Sequence, residues 1–370
     1  MTGLRVGLGR GSDGVRHSRP LRCTEPAPER VGEATVEYSG RLAAEGRELV
    51  LHAGFDGWLE PHDLPMERED DSTWTALVPE TEEHVVLDCV VKDGDETDNN
   101  DAVDYRLWLH LDPVDSHVHA RVKGNEPMGF ASLTTAFFSS GMTHALISWQ
   151  DNAFVDRVSR DVPWLSRLVW VRPGRTRVED LRRRLSSGSV GLKLHPAYDN
   201  FPADTPALDP YLEEAEEADV PVTVHSGPAF ADPDLIRRLA ERFPKVRFVL
   251  YHTYLGPEEG RERAARHAHE LPNLYLETSW CRSSAVEHFV EVAGPDRVLF
   301  GSDAAIDGAW HYNRNPPNIE MVENYNQGVL LLVQRLGAEV GQRLLEDNAR
   351  ELFRIPAAAK ASDEGGSYTI

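Results

Sequence analysis

Apolar and polar residues follow one another in two different rhythms along this chain. Between about residues 31 and 111 the apolar positions come in short runs divided by polar turns. Glu48-Leu49-Val50-Leu51-His52-Ala53-Gly54-Phe55 closes on Asp56-Gly57. Thr73 to Val78 is a second run, Glu83 to Val91 a third that ends at Asp93-Gly94, and Tyr105 to Leu111 a fourth. β-Branched and aromatic residues are enriched, no helical period is present, and Gly/Asp pairs punctuate the runs. The pattern predicts an all-β sandwich over 31–111.

From about residue 112 the rhythm lengthens. Apolar runs begin near Val114, Thr143, Arg167, Ser189, Pro221, Val246, Asn273 and Val298, at intervals of 22 to 32 residues. Each interval accommodates one strand and one helix. Eight even units predict an α/β fold, a (β/α)8 TIM barrel over 112–356 that follows the smaller sandwich. Asp232 to Phe243 reads as one of the helices. Asp232 suits the N-cap and Pro233 the first helical position, with Leu235, Ile236 and Leu239 on one face and Arg237, Arg238, Glu241 and Arg242 on the other. Gly337 to Ile355 reads as a closing amphipathic helix, ended by Pro356. Residues 1–30 and 357–370 are expected to be disordered extensions. No Gly/Ser linker separates sandwich from barrel, which predicts a docked module rather than a tethered one.

Composition narrows the function classes. Across 370 residues, 39 Lys and Arg stand against 61 Asp and Glu, a net charge of −22. That balance argues against nucleic acid or an anionic membrane as partner. No run approaches the roughly 18 apolar residues of a membrane span. The first residues carry Arg5, Arg10, Arg16, Arg19 and Arg22 but no apolar stretch, so a secretory signal is not expected. Cys23, Cys89 and Cys281 are scattered and odd in number, which predicts neither a disulfide framework nor a CxxC zinc site and suits a reducing cytoplasm.

The chemistry sits at the strand ends, where parallel-barrel enzymes keep their active sites. The first run ends Val114-Asp115-Ser116-His117-Val118-His119. Strand alternation turns His117 and His119 to the same side, and two converging imidazoles are what a metal site requires. The fifth run ends at His225, the sixth at His252 and the eighth at Asp303. Four histidines and one aspartate at one end of a barrel predict a metal site better than they predict packing. Lys193 and His195 alternate about Leu194, so both are expected to face inward at the fourth strand end. Glu277 ends the seventh run and Trp280 follows it, both candidates to line the pocket. The loop Trp310-His311-Tyr312-Asn313-Arg314-Asn315-Pro316 follows Asp303 and offers His311 and Arg314 as candidate substrate contacts, with a plain exposed loop arginine expected ahead of a carboxylate clamp at Arg314.

These stretches resemble the amidohydrolase superfamily, specifically its amidohydrolase-related branch. The matching segments are Asp115-Ser116-His117-Val118-His119, Gly191-Leu192-Lys193-Leu194-His195-Pro196, Val222-Thr223-Val224-His225-Ser226-Gly227, Asn273 to Ser279, Leu299-Phe300-Gly301-Ser302-Asp303 and Asn348 to Phe353. The resemblance implies that His117, His119, His225 and Asp303 hold a divalent metal, usually zinc and sometimes manganese or iron. It implies His252 as a second ligand or as the acid/base, and Asp303 as a catalytic proton acceptor. Lys193 in binuclear relatives is carboxylated and bridges two metals; in mononuclear ones it serves substrate or fold. The same resemblance implies a small-molecule substrate and a homodimer.

Three activities fit that scaffold. The first is hydrolysis of an amide, ester or lactone by metal-activated water. The second is non-oxidative decarboxylation of an aromatic acid. The third is a dinuclear iron or manganese oxygenase, with His195 or Glu277 as extra ligands. A non-enzymatic binding role is disfavoured by the intact ligand set. Residues 31–111 also resemble starch-binding carbohydrate-binding modules, through His52-Ala53-Gly54-Phe55-Asp56-Gly57-Trp58, Asp98-Asn99-Asn100-Asp101 and Tyr105. In those modules a tryptophan commonly precedes the Asp-Asn-Asn stretch, and here Thr97 stands there. A structural role for Trp58 and Trp74 is therefore expected ahead of glucan binding.

Overall fold

The computed structural model describes residues 21–24, 33–79, 81, 83–100, 104–119, 133–134, 137–138, 140–304 and 327–356. Two compact units divide them near Asp112.

The first unit holds two antiparallel sheets. One has the order β1-β2-β6-β5, with β1 Leu21–Thr24, β2 Ala34–Tyr38, β5 Glu67–Arg68 and β6 Trp74–Val78. The other has the order β4-β3-β7-β8, with β3 Val50–Gly54, β4 Leu59–Pro65, β7 Val86–Asp93 and β8 Glu96–Asp98; β9 Tyr105–Trp108 also pairs with β7. Period-two alternation buries Ala34, Val36 and Tyr38 while Thr35 and Glu37 face outward. Tyr38 ties the sheets together: its hydroxyl donates to Asp98 Oδ2 at 2.6 Å, and Tyr105 donates to Asp98 Oδ1 at 3.0 Å. Asp88 and Arg106 are register partners on β7 and β9 and form a buried two-point ion pair at 2.7 and 3.1 Å. Trp74 is a core residue, 6% exposed, whereas Trp58 is half-buried beside His52.

Five strands, β1, β2, β4, β5 and β8, lie outside the four apolar runs of the sequence, and β1 and β4 depart furthest from expectation. Leu21–Thr24 lies within the stretch expected to be disordered, yet it pairs antiparallel with β2 and buries Leu21. A short edge strand takes its stability from the ladder its neighbour offers, so its own pattern is weak. β4 is exposed along nearly its whole length and contains Pro61 and Pro65, both suited to an edge strand and invisible to a hydrophobic-run search. The remainder of 1–30, and 357–370, fall outside the described residues.

The second unit is an eight-stranded parallel barrel. Its strands are β10 Val114–His119, β11 His144–Ser148, β12 Leu165–Trp170, β13 Ser189–Leu194, β14 Val222–His225, β15 Phe248–Tyr251, β16 Leu274–Glu277 and β17 Val298–Leu299, paired in sequence order. Closure comes from the extended chain after β17. Ser116 N–H donates to Phe300 O at 3.0 Å, Asp303 N–H to His117 O at 2.7 Å, and His119 N–H to Ala304 O at 2.5 Å. The expected helix at Asp232 forms as Pro233–Arg242, with the Asp232 carboxylate accepting from Asp234 N–H and with Ile236 and Leu239 buried. The expected closing helix forms and runs without interruption through Ala338–Gln342, a wider π-helical turn at Arg343–Asp347, and Asn348–Phe353. Its Ala349, Leu352 and Phe353 pack with Val114, Leu146, Leu168, Val249 and Leu299. Among the described residues, no helix is long and apolar enough to cross a membrane.

Candidate metal centre

The site is built from strand ends. β10 is buried at every residue, and its register against β11 shifts by one residue between Asp115 and Val118, an irregularity at the approach to the His117 and His119 pair. Asp115 fastens this strand to the chain that closes the barrel: its Oδ1 accepts from His117 N–H at 3.0 Å and from Ser302 N–H at 2.9 Å, and Oδ2 accepts from the Ser302 hydroxyl. His252, Trp280 and Asp303, just beyond the sixth, seventh and eighth strands, all have left-handed backbones, with φ of 68°, 61° and 60°. Such conformations are strained for these residues and turn each chain sharply at the site.

Hydrogen-bond partners define the imidazoles. His117 Nδ1 faces Glu277 Oε2 at 3.2 Å, and His119 Nδ1 faces the Ser148 carbonyl at 3.2 Å. Both partners are acceptors, so each Nδ1 carries the proton and each Nε2 presents a lone pair. The two Nε2 atoms are 3.2 Å apart. Asp303 Oδ1 lies 3.2 Å from the first and 2.9 Å from the second, is buried, and accepts no aligned hydrogen bond. Three lone-pair atoms therefore face one another in a buried space, an arrangement that a cation reconciles.

The electrostatics agree. Burial, then Lys193 and the neighbouring histidines, holds His117 well below its ordinary value. Burial likewise lowers His225 strongly and brings His252 to about 4. Burial pushes the Asp303 carboxyl up, but His119, His252 and Lys193 outweigh it and leave it below the usual carboxylate range. Neutral imidazoles beside an ionised carboxylate are the protonation states that ligands need. Two imidazoles and a carboxylate suit zinc, and also manganese or iron.

His117, His119 and Asp303 bring their donor atoms within 4.8 Å of one another, as do His117, His252 and Glu277. Glu277 is fully buried, and its oxygens are taken by His252 N–H at 2.9 Å, the Ser279 hydroxyl at 2.7 Å, the Ser279 amide and His117. It holds His117, His252 and Ser279 in place and does not line an open pocket. Burial pushes its carboxyl up to about 8 against these donors. Gly301 leaves it room, since a Cβ there would overlap Oε1. Ser279 also meets His252 Nδ1 at 2.7 Å. His225 stands one step away, with Nδ1 3.1 Å from His252 Nε2 and its ring stacked on His195 at 3.9 Å.

Lys193 does face inward. It is 1% exposed, with Nζ 3.3 Å from His117 Nε2 and 3.8 Å above the Tyr251 ring, and burial lowers it to about 7. His195 is half-buried and caps the short helix Pro196–Asp199 by accepting from Tyr198 N–H at Nδ1, so that nitrogen is occupied. Trp280 donates its indole N–H to Asp303 Oδ2 at 2.7 Å, a role its position alone did not reveal. His311 and Arg314 lie outside the described residues.

Several site residues escaped the sequence reading. Asp115 and Ser302 stand inside the quoted motifs, but their contact joins positions 187 apart. Tyr251 stacks on His117 at 3.7 Å and donates to Ser116 O. Trp149 and Trp170 approach the His119 ring at 5.8 and 6.3 Å, and the Trp170 indole is anchored on Asp199 at 2.7 Å.

The sequence pattern of the amidohydrolase family matches residues 108–355. The chain belongs to the amidohydrolase family. Among solved structures, the amidohydrolase barrel is similar to a putative 2-pyrone-4,6-dicarboxylic acid hydrolase from Pseudomonas putida, at 19% identity and TM-score 0.50, covering 68% of this chain and 100% of that one. It is similar to a probable 2-pyrone-4,6-dicarboxylic acid hydrolase from Acinetobacter baumannii, at 16% identity and TM-score 0.50, covering 66% and 100%. At these identities the likeness speaks to the fold of the amidohydrolase unit. A 91-residue stretch is 32% identical to an α-amylase from Clostridium acetobutylicum, covering 24% of this chain and 12% of the amylase.

Proposed function

We propose that this amidohydrolase is a metal-dependent hydrolase that opens an amide, ester or lactone bond of a small molecule. The observation that carries the reading is the buried Asp303 Oδ1, 3.2 and 2.9 Å from two imidazole lone pairs and without an aligned hydrogen bond. His117, His119 and Asp303 would hold the ion, with His252 and His225 beside them. A divalent ion there supplies Lewis acidity, polarising a carbonyl and easing loss of a proton from water.

The chain's own groups supply the rest. Asp303, ionised at neutral pH, accepts the proton that the attacking water loses. His252 is neutral at rest, so the proton that Asp303 takes from water passes to His252 Nε2 and from there to the departing group, which leaves both residues as they began. Ser279 and Glu277 hold His252 by its Nδ1 and its amide, which keeps Nε2 aimed inward. The Glu277 oxygens and His195 Nδ1 are already engaged by protein donors, which favours a single-ion hydrolase over a dinuclear oxygenase.

Elemental analysis of purified protein, followed by assays on lactones, esters, amides and hydroxybenzoates, tests the reading. One ion per chain with hydrolytic turnover is the expected result. Carbon dioxide release from a hydroxybenzoate without hydrolysis replaces it with decarboxylation. Full turnover by chelated, metal-free protein removes it altogether.

A further inference from the structure

We propose that Trp280 is a positioning residue for Asp303, dividing the carboxylate so that Oδ2 is held by the indole and Oδ1 alone is offered to the ion. The inference rests on the reading of Asp303 as a metal ligand. The indole N–H is a donor only, and it meets Asp303 Oδ2 at 2.7 Å. The other oxygen, Oδ1, is the one that faces His117 and His119 Nε2. A carboxylate with one oxygen bound to a fixed donor loses its freedom to rotate about χ2, so a single lone-pair set remains aimed at the ligand space.

The backbone at both residues serves this contact. Trp280 has φ 61°, a conformation that bulky side chains rarely adopt, and Asp303 has φ 60°, which a short polar side chain tolerates better. Each residue follows a strand end, and the two left-handed turns bring adjacent strand exits toward each other. Cys281 N–H donates to Thr278 O at 3.1 Å and closes the turn that carries Trp280. Thr278 N–H in turn donates to Leu299 O at 3.2 Å, and Gly301 N–H donates to the Thr278 hydroxyl at 3.2 Å. The indole and the carboxylate are thus mounted on two cross-bonded exits of neighbouring strands.

Two measurements test the assignment. The first uses protein carrying isotope-labelled tryptophan and follows the Trp280 indole N–H by NMR, assigned through space from the Cys281 amide. The resonance is expected downfield in the parent, moved upfield in Asp303→Asn, and shifted when zinc is added to the parent. The second is zinc affinity by calorimetry, expected to fall 10- to 100-fold in Trp280→Phe. An indole resonance indifferent to Asp303→Asn, or unchanged affinity in Trp280→Phe while the parent binds zinc, overturns this inference and leaves the hydrolase reading standing. A parent that binds no divalent ion overturns both. The NMR comparison keeps residue 280 intact and so decides the matter even where Trp280→Phe fails to fold.

Discussion

Glu277 meets the Nδ1 face of His117 at 3.2 Å and thereby decides which nitrogen of that ring faces the metal space. A carboxylate behind a histidine fixes the ring's tautomer and orientation and raises its basicity. Glu277→Gln keeps the shape but turns an amide NH2 toward the donors of Ser279 and His252. Metal affinity is expected to fall 10- to 100-fold. Stability is expected to fall by about 1–3 kcal/mol, because a buried N–H of Ser279 or His252 loses its acceptor. Chelator competition and urea unfolding check the two parts; unchanged metal affinity would remove Glu277 from the support of His117.

The proposed ion carries a stability prediction as well as a functional one. An ion held by His117, His119 and Asp303 binds the folded chain and not the unfolded one, so the metal-free protein should unfold more easily. At an ion concentration 100 times Kd the linkage is worth about 2.7 kcal/mol. Differential scanning calorimetry with and without zinc should show this gain in the parent and little of it in His117→Ala or Asp303→Asn. The same variants should lose bound metal by elemental analysis and lose turnover.

Tyr38→Phe tests the β unit. The lost hydroxyl donates to buried Asp98 at 2.6 Å and accepts from Leu42 N–H at 2.9 Å. Leaving these groups short of a partner is expected to cost about 1–3 kcal/mol. Denaturant unfolding followed by a probe within residues 33–112 measures it, and zinc affinity should not change. A neutral outcome would mean that Asp98 is satisfied by Tyr105 alone.

His144 gives the pH prediction. Its ring is partly buried at the start of β11, meets Ser166 Oγ at 2.8 Å, and is lowered from 6.5 to about 4 by burial and then by Arg350. Above pH 6.5 neither the folded nor the unfolded state protonates it, so its neutral form costs nothing. As pH falls from 6.5 toward 4 the unfolded chain takes up a proton that the folded one refuses, and stability is lost. The loss from this group approaches roughly 3 kcal/mol by pH 4. Comparing unfolding midpoints of the parent and His144→Gln across that window isolates the effect from the other buried histidines. Parallel curves for the two proteins would refute it.

Much of the barrel was legible because parallel strands covered on both faces read as continuous apolar runs. Val114, Ser189 and Val298 begin strands where the pattern placed them, and the others start within two residues of expectation. The edge strands Leu21–Thr24 and Leu59–Pro65 were not legible, because an edge strand borrows its hydrogen bonds from a neighbour and needs little apolar character of its own.

By itself the sequence determined the barrel, the smaller β unit ahead of it and the place of His117, His119, His225, His252 and Asp303 at or just beyond strand ends, because those signals are local and periodic. Only the tertiary structure decided how that chemistry is divided. It set Glu277 behind His117 instead of in the pocket, gave His195 a capping role, brought Lys193 against His117, and joined Trp280 to Asp303. Each of these contacts links residues far apart in the chain. Their partners are chosen by strand exits meeting across a closed barrel, which no period along the sequence encodes.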